Sequence, residues 1–117
     1  MINLPDLASI LHALRQPLPP LLLTLLTSHF HLAIDNGVAD MTHILVVEPH
    51  DREADIIEAI GFWPVDHAPP DWIQKHDGFW VLIYPVGNAG FAFLVLVEDA
   101  DGVDPDLLAL CRAGKVQ

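Results

Sequence analysis

Basic residues, cysteine and serine are all scarce in this chain of 117 residues, and each shortage excludes something. Five Lys and Arg stand against sixteen Asp and Glu, for a formal net charge of -11. A field of that sign repels phosphate backbones and anionic lipid headgroups, which excludes a nucleic-acid-binding surface and a polybasic membrane patch. Cys111 is the one cysteine, so neither an intramolecular disulfide nor a cysteine-rich zinc site can form, and a reducing cytoplasm suits the chain. Ser9 and Ser28 are the only serines, and neither stands in a Gly-x-Ser-x-Gly elbow. The most hydrophobic early run, Leu18 to Leu26, is broken by Pro19, Pro20 and Thr24 and is too short for a bilayer; Met1 to Leu7 lacks the positive charge of a secretory signal. The expectation is a cytoplasmic protein that binds neither membrane nor nucleic acid.

What is plentiful is apolar. Hydrophobic residues make up 52% of the chain and charged residues 18%, which excludes a disordered, solvating segment and fits one domain over 1–117. Leu4, Leu7, Ala8, Leu11 and Leu14 have the spacing of one helical face, ended by Gln16 and Pro17. A second helix is expected from Pro19 and Pro20 to Asp35, with a polar stripe of Thr24, Thr27, His31 and Asp35. Leu21, Leu22, Leu25 and Leu32 lie on its apolar side, and Asn36-Gly37 forms the C-cap. The alternative is a strand over Ser28 to Ile34.

Thr42 to Glu48 is a β-branched run with two apolar faces, the pattern of a central strand. Asp51 reads as the N-cap of a helix to about Ile60 that buries Ala54 and Ile57, with Ile56 and Ile60 as further candidates for burial and Gly61 as its stop. Phe62 to Gly78 reads as a loop with at most one helical turn around Asp71 to His76. Two apolar runs, Phe79 to Val86 and Phe91 to Glu98, joined by Gly87-Asn88-Ala89-Gly90, predict a hairpin with Val86 opposite Phe91 and Tyr84 opposite Phe93. Asp104-Pro105-Asp106 starts a last helix. The expected class is a small α/β (α+β) sandwich, a central β-hairpin and one further strand packed by about four helices.

Catalytic constellations are thin. No two histidines have the helical spacing of a zinc pair, and the His50-Asp51 and His76-Asp77 neighbours lack further ligands in sequence. Cys111 lies among Leu107, Leu108 and Leu110, the setting of a buried thiol. Neither a metal nor a cofactor is expected. The candidate partner- or ligand-binding residues are Trp63, His67, Trp72, His76 and Trp80, because tryptophans on a proline-rich loop can anchor a partner; they can equally fold that loop down as a lid.

Three stretches, Met41 to Pro49 (MTHILVVEP), Gly87 to Phe93 (GNAGFAF) and Gly102 to Cys111 (GVDPDLLALC), together resemble a group of uncharacterised small acidic bacterial proteins associated with mobile elements. The resemblance implies a bacterial cytoplasmic accessory protein and brings no activity or catalytic residue with it.

The leading expectation is a non-enzymatic interaction or regulatory protein, homodimeric because so apolar a chain exceeds what a small monomer conceals. The alternatives are a small metal-dependent hydrolase using His67, His76 and Asp77, and an acidic inhibitor that mimics nucleic acid. Seven histidines outnumber the basic residues, and protonating all of them would bring the charge from -11 to -4. Turbidity at fixed concentration is therefore expected to rise steeply between pH 7.5 and 5, and a flat profile contradicts this account.

Overall fold

The computed structural model describes residues 1–35, 37, 41–66, 70, 72–76, 78–86, 90–97 and 102–114. The chain runs β1 (Ile2–Leu4), α1 (Leu7–Leu14), α2 (Pro20–Asp35), β2 (Thr42–Val47), α3 (Glu53–Ile60), β3 (Trp72–His76), β4 (Phe79–Val86), β5 (Gly90–Val97) and α4 (Pro105–Gly114). One mixed sheet has the order β1-β2-β5-β4-β3, in which only β2 and β5 are parallel. The class is α+β, a single sheet between two helix layers, and it holds five strands where three were expected.

Alternation along β2, β4 and β5 builds two cores. Ile44, Val46, Val81, Ile83, Phe93 and Val95 join the buried residues of α1 and α2 on one face. Leu45, Val47, Leu82, Tyr84, Leu94 and Leu96 join Ile56 of α3 and Leu107, Leu108 and Cys111 of α4 on the other. The two apolar faces of the hairpin are thus both covered by the chain's own helices, and the sheet needs no second subunit to hide it.

Local chemistry places the helices. Pro5 cannot donate, and Asp6 forms a reciprocal capping box: the Ser9 N–H donates to Asp6 Oδ1 at 2.8 Å, and the Asp6 N–H to Ser9 Oγ at 3.2 Å. The Ser9 N–H, followed by its hydroxyl, holds the Asp6 carboxyl below its ordinary pKa. The helix therefore starts at Leu7, and Leu4, expected in it, pairs with Ile44 as the end of a short strand. The helix over Pro20–Asp35 is continuous, so Ser28 to Ile34 is helical and the strand alternative is not adopted. Asp104 Oδ1 accepts from the N–H groups of Asp106, at 2.8 Å, and Leu107, at 3.4 Å, capping α4.

Other expectations are corrected. Arg52, not Asp51, is the N-cap of α3, and it makes no side-chain cap bond; Asp51 instead accepts the Glu48 N–H at 2.8 Å. Of the residues expected to be buried on α3, Ile56 is fully buried and Ile60 half-buried, as read from the sequence, while Ala54 and Ile57 are exposed. Gly61 does end the helix, at φ 92. Within the segment expected as a loop or a turn of helix around Asp71 to His76, Trp72–His76 is an edge strand, and Asp71 lies outside the described residues. In the hairpin Val86 pairs with Gly90 and Ile83 with Phe93, one residue off the expected register, so Tyr84 meets Ala92. Leu21 and Leu32, expected on the buried side of α2, are 57% and 46% exposed.

The α3 packing is open to measurement. Ile56→Ala should cost about 2–5 kcal/mol in chemical denaturation, whereas Ile57→Ala should stay within about 1 kcal/mol of the parent. Equal losses would contradict the orientation of the helix.

Candidate functional site

The five candidate residues do not share one environment. Trp80, on β4, is 4% exposed and belongs to the α3/α4 core, with Lys75 Nζ 6.0 Å from its ring centroid. That distance is the outer limit of a cation–π contact. The Trp80 indole Nε1 is buried and has no hydrogen-bond partner among the described residues. Trp63 is half-buried against the same cluster. Trp72 and His76 are the first and last residues of β3, paired with Ile83 and Phe79. His67 lies outside the described residues, as do Asp77 and the turn at 87–89.

The chain after α3 folds down onto the sheet. Phe62 meets Tyr84 edge to face, 5.0 Å between ring centroids at 66°, and the 3-10 turn at Pro64–Asp66 buries Pro64. Burial, and after it the neighbouring Cys111, raise the Tyr84 phenol above its ordinary pKa. Phe62 and Trp63 here serve as packing for the α3/α4 face.

Sequence reasoning did not anticipate the joint at the carboxyl ends of the parallel pair β2 and β5, the place where open α/β sheets usually take ligands. His50 holds a left-handed φ of 73, its N–H donates to the Gly102 carbonyl at 2.8 Å, and its ring lies over Gly102. A Cβ on Gly102 would fall 2.6 Å from the His50 ring, so the two loops interlock. Beside them the Met1 ammonium pairs with Glu48 and lies 3.3 Å from Asp51 Oδ2. Burial works to lower the pKa of that amine, but the hydrogen bonds to Glu48 and Asp51 outweigh it and leave it raised. Together with the Asp104 cap, these contacts give the carboxylates of the joint structural partners.

Two histidines and one serine are likewise absorbed by the fold. His43 Nε2 lies 2.6 Å from Asn3 Oδ1, joining β2 to β1, and desolvation lowers its pKa. His29 is buried on α2, its ring 5.4 Å from that of Phe93 and edge-on. Ser9 is committed to the capping box, and Ser28 is exposed on α2. Among the described residues no three His, Cys, Asp or Glu gather in a way that could hold a metal ion. No helix among them is long and apolar enough to cross a membrane.

Charge, by contrast, is strongly partitioned by the sheet. Among the described residues α1, α2 and their flanks carry Asp6, Asp35 and Arg15. The elements α3 and α4, with the loops that lead into and out of them, carry eight Asp and Glu against Arg52 and Arg112. Of the described charges, the α1/α2 layer is thus nearly balanced and the α3/α4 layer strongly acidic.

Cys111 illustrates how the interior suppresses reactivity. It is fully buried, and desolvation pushes its thiol up to about 12. The native thiol should stay unmodified by iodoacetamide at pH 8 and react at the rate of a free thiol in denaturant, and fast native labelling contradicts the placement. Comparisons with protein-family models, with curated proteins and with solved structures found no match.

Proposed function

We propose that this chain is a non-enzymatic interaction protein that works as a homodimer, an accessory of bacterial cytoplasmic type as its sequence resemblance implies. The observation that carries this reading is the partition of charge across the sheet. A chain of net charge -11 repels its own copies wherever carboxylates meet. Among the described residues the α1/α2 layer is the side on which that repulsion is weakest, and it is also where Leu11, Leu21, Leu32 and Ile34 remain exposed. Exposed apolar side chains on a surface of low charge density favour association.

The chemistry of the described interior supports the same reading. The one thiol is buried and inert, and the histidines, serines and carboxylates whose contacts are described serve caps, strand joints and loop joints. A second reading, an inhibitor whose carboxylates imitate phosphates, is favoured by the acidic α3/α4 layer. It is the weaker of the two, because Asp51 and Asp104 are turned to backbone N–H groups of their own loops, in place of a partner.

Light scattering across a concentration series should give twice the 12.9 kDa mass of the chain, with the dimer persisting at 0.15 M salt because an apolar contact is not screened. A monomer throughout the series overturns the proposal.

A further inference from the structure

We infer that the exposed face of α2 is the dimer surface, occupied by the α2 helix of a second copy running antiparallel about a two-fold axis. This inference rests on the homodimer reading above and assigns its surface. Three features of α2 point to this occupant.

The first is its stripe. Leu21, Thr24, Ser28 and Leu32 follow one another at the spacing of a single helical face, and all four are exposed. Turned end for end about a two-fold axis, such a stripe sets Leu21 of each copy against Leu32 of the other and leaves the small Thr24 and Ser28 at the centre. An isologous contact requires this kind of self-complementarity.

The second is the placement of charge. α2 has no acidic residue in its first turn and no basic residue in its last, so its own residues complement neither end of its dipole. Its last residue is instead Asp35, a carboxylate at the end that prefers a cation. Arg15, exposed at the C-cap of α1, stands five residues before the start of α2. Antiparallel pairing brings the Asp35 end of each copy to the Arg15 end of the other, forming two opposite-charge contacts and opposing the two helix dipoles. A parallel arrangement would instead set Asp35 against Asp35.

The third is exclusion. In a second copy the acidic α3/α4 layer is the repelling surface, and the α1/α2 layer, in which α1 has no Asp, Glu, Lys or Arg and α2 has one Asp in sixteen residues, is the side that a like-charged molecule can approach.

Sedimentation equilibrium on purified wild type and variants, with circular dichroism as a check on folding, tests this assignment. Leu32→Glu should raise the dimer dissociation constant by about a hundredfold, and Arg15→Glu by about tenfold. Combining Arg15→Glu with Asp35→Arg should recover most of the latter loss, since the pair is then merely reversed. Ile57→Glu, which adds the same charge to the exposed side of α3, should leave the constant within about threefold of wild type. A dimer that tolerates both Leu32→Glu and Arg15→Glu lies on another face and overturns this inference while sparing the homodimer reading. A wild-type monomer up to about 1 mM overturns both, whether or not another chain covers α2. Arg15 and Asp35 are exposed, so the charge swap reads the contact even if Leu32→Glu disturbs folding.

Discussion

Everything in this molecule leans on β5. It is the third of five strands, bonded to β2 on one side and to β4 on the other, and its residues Ala92 to Leu96 are at most 3% exposed. Their side chains alternate, so Phe93 and Val95 enter the α1/α2 core while Ala92, Leu94 and Leu96 enter the α3/α4 core. Burying a large aliphatic or aromatic side chain is worth about 1.5–3 kcal/mol. One strand thus supplies both helix layers with the apolar surface that holds them, and neither layer has a core independent of it.

How much of this could be read from the sequence depended on whether the pattern carried direction as well as type. The hairpin announced itself through two apolar runs around Gly87 to Gly90, but its register did not. With both faces apolar, a slip of one residue exchanges one hydrophobic set for another and leaves no mark on the pattern. Likewise α2 was legible as a helix, but leucines at positions 21, 22, 23, 25 and 26 surround its first half, so the pattern could not say which of them would stay outside. Leu4 fitted a helical spacing until Pro5 and the Asp6–Ser9 capping box set the start two residues later than Pro5. β3 was hidden for a different reason. Trp72 to His76 has weak strand propensity beyond its first two residues and becomes a strand by pairing with β4, an override of local preference that a single sequence does not display.

The candidate site was legible in composition and not in position. Three tryptophans within eighteen residues suggested a common surface, yet Trp80 belongs to a central hairpin strand and is core, Trp63 packs on that same core, and Trp72 begins the edge strand. Aromatic residues close in sequence are divided by the strand and turn geometry between them. The acidic balance also changed meaning once placed. Total charge says only that copies repel; its partition among the described residues places most of that repulsion on the α3/α4 side.

The parallel seam between β2 and β5 has a kinetic consequence. Every pair across it, from Thr42 with Phe91 to Val47 with Leu96, joins residues 49 positions apart, while β3, β4 and β5 form a meander of neighbours. Loop-closure entropy makes distant pairings slow and near ones fast. The meander can therefore assemble early with one flank of β5 open, a long apolar strand edge in an incompletely folded chain. Until β2 arrives to close it, that edge is the part of the molecule most prone to pair with the wrong chain.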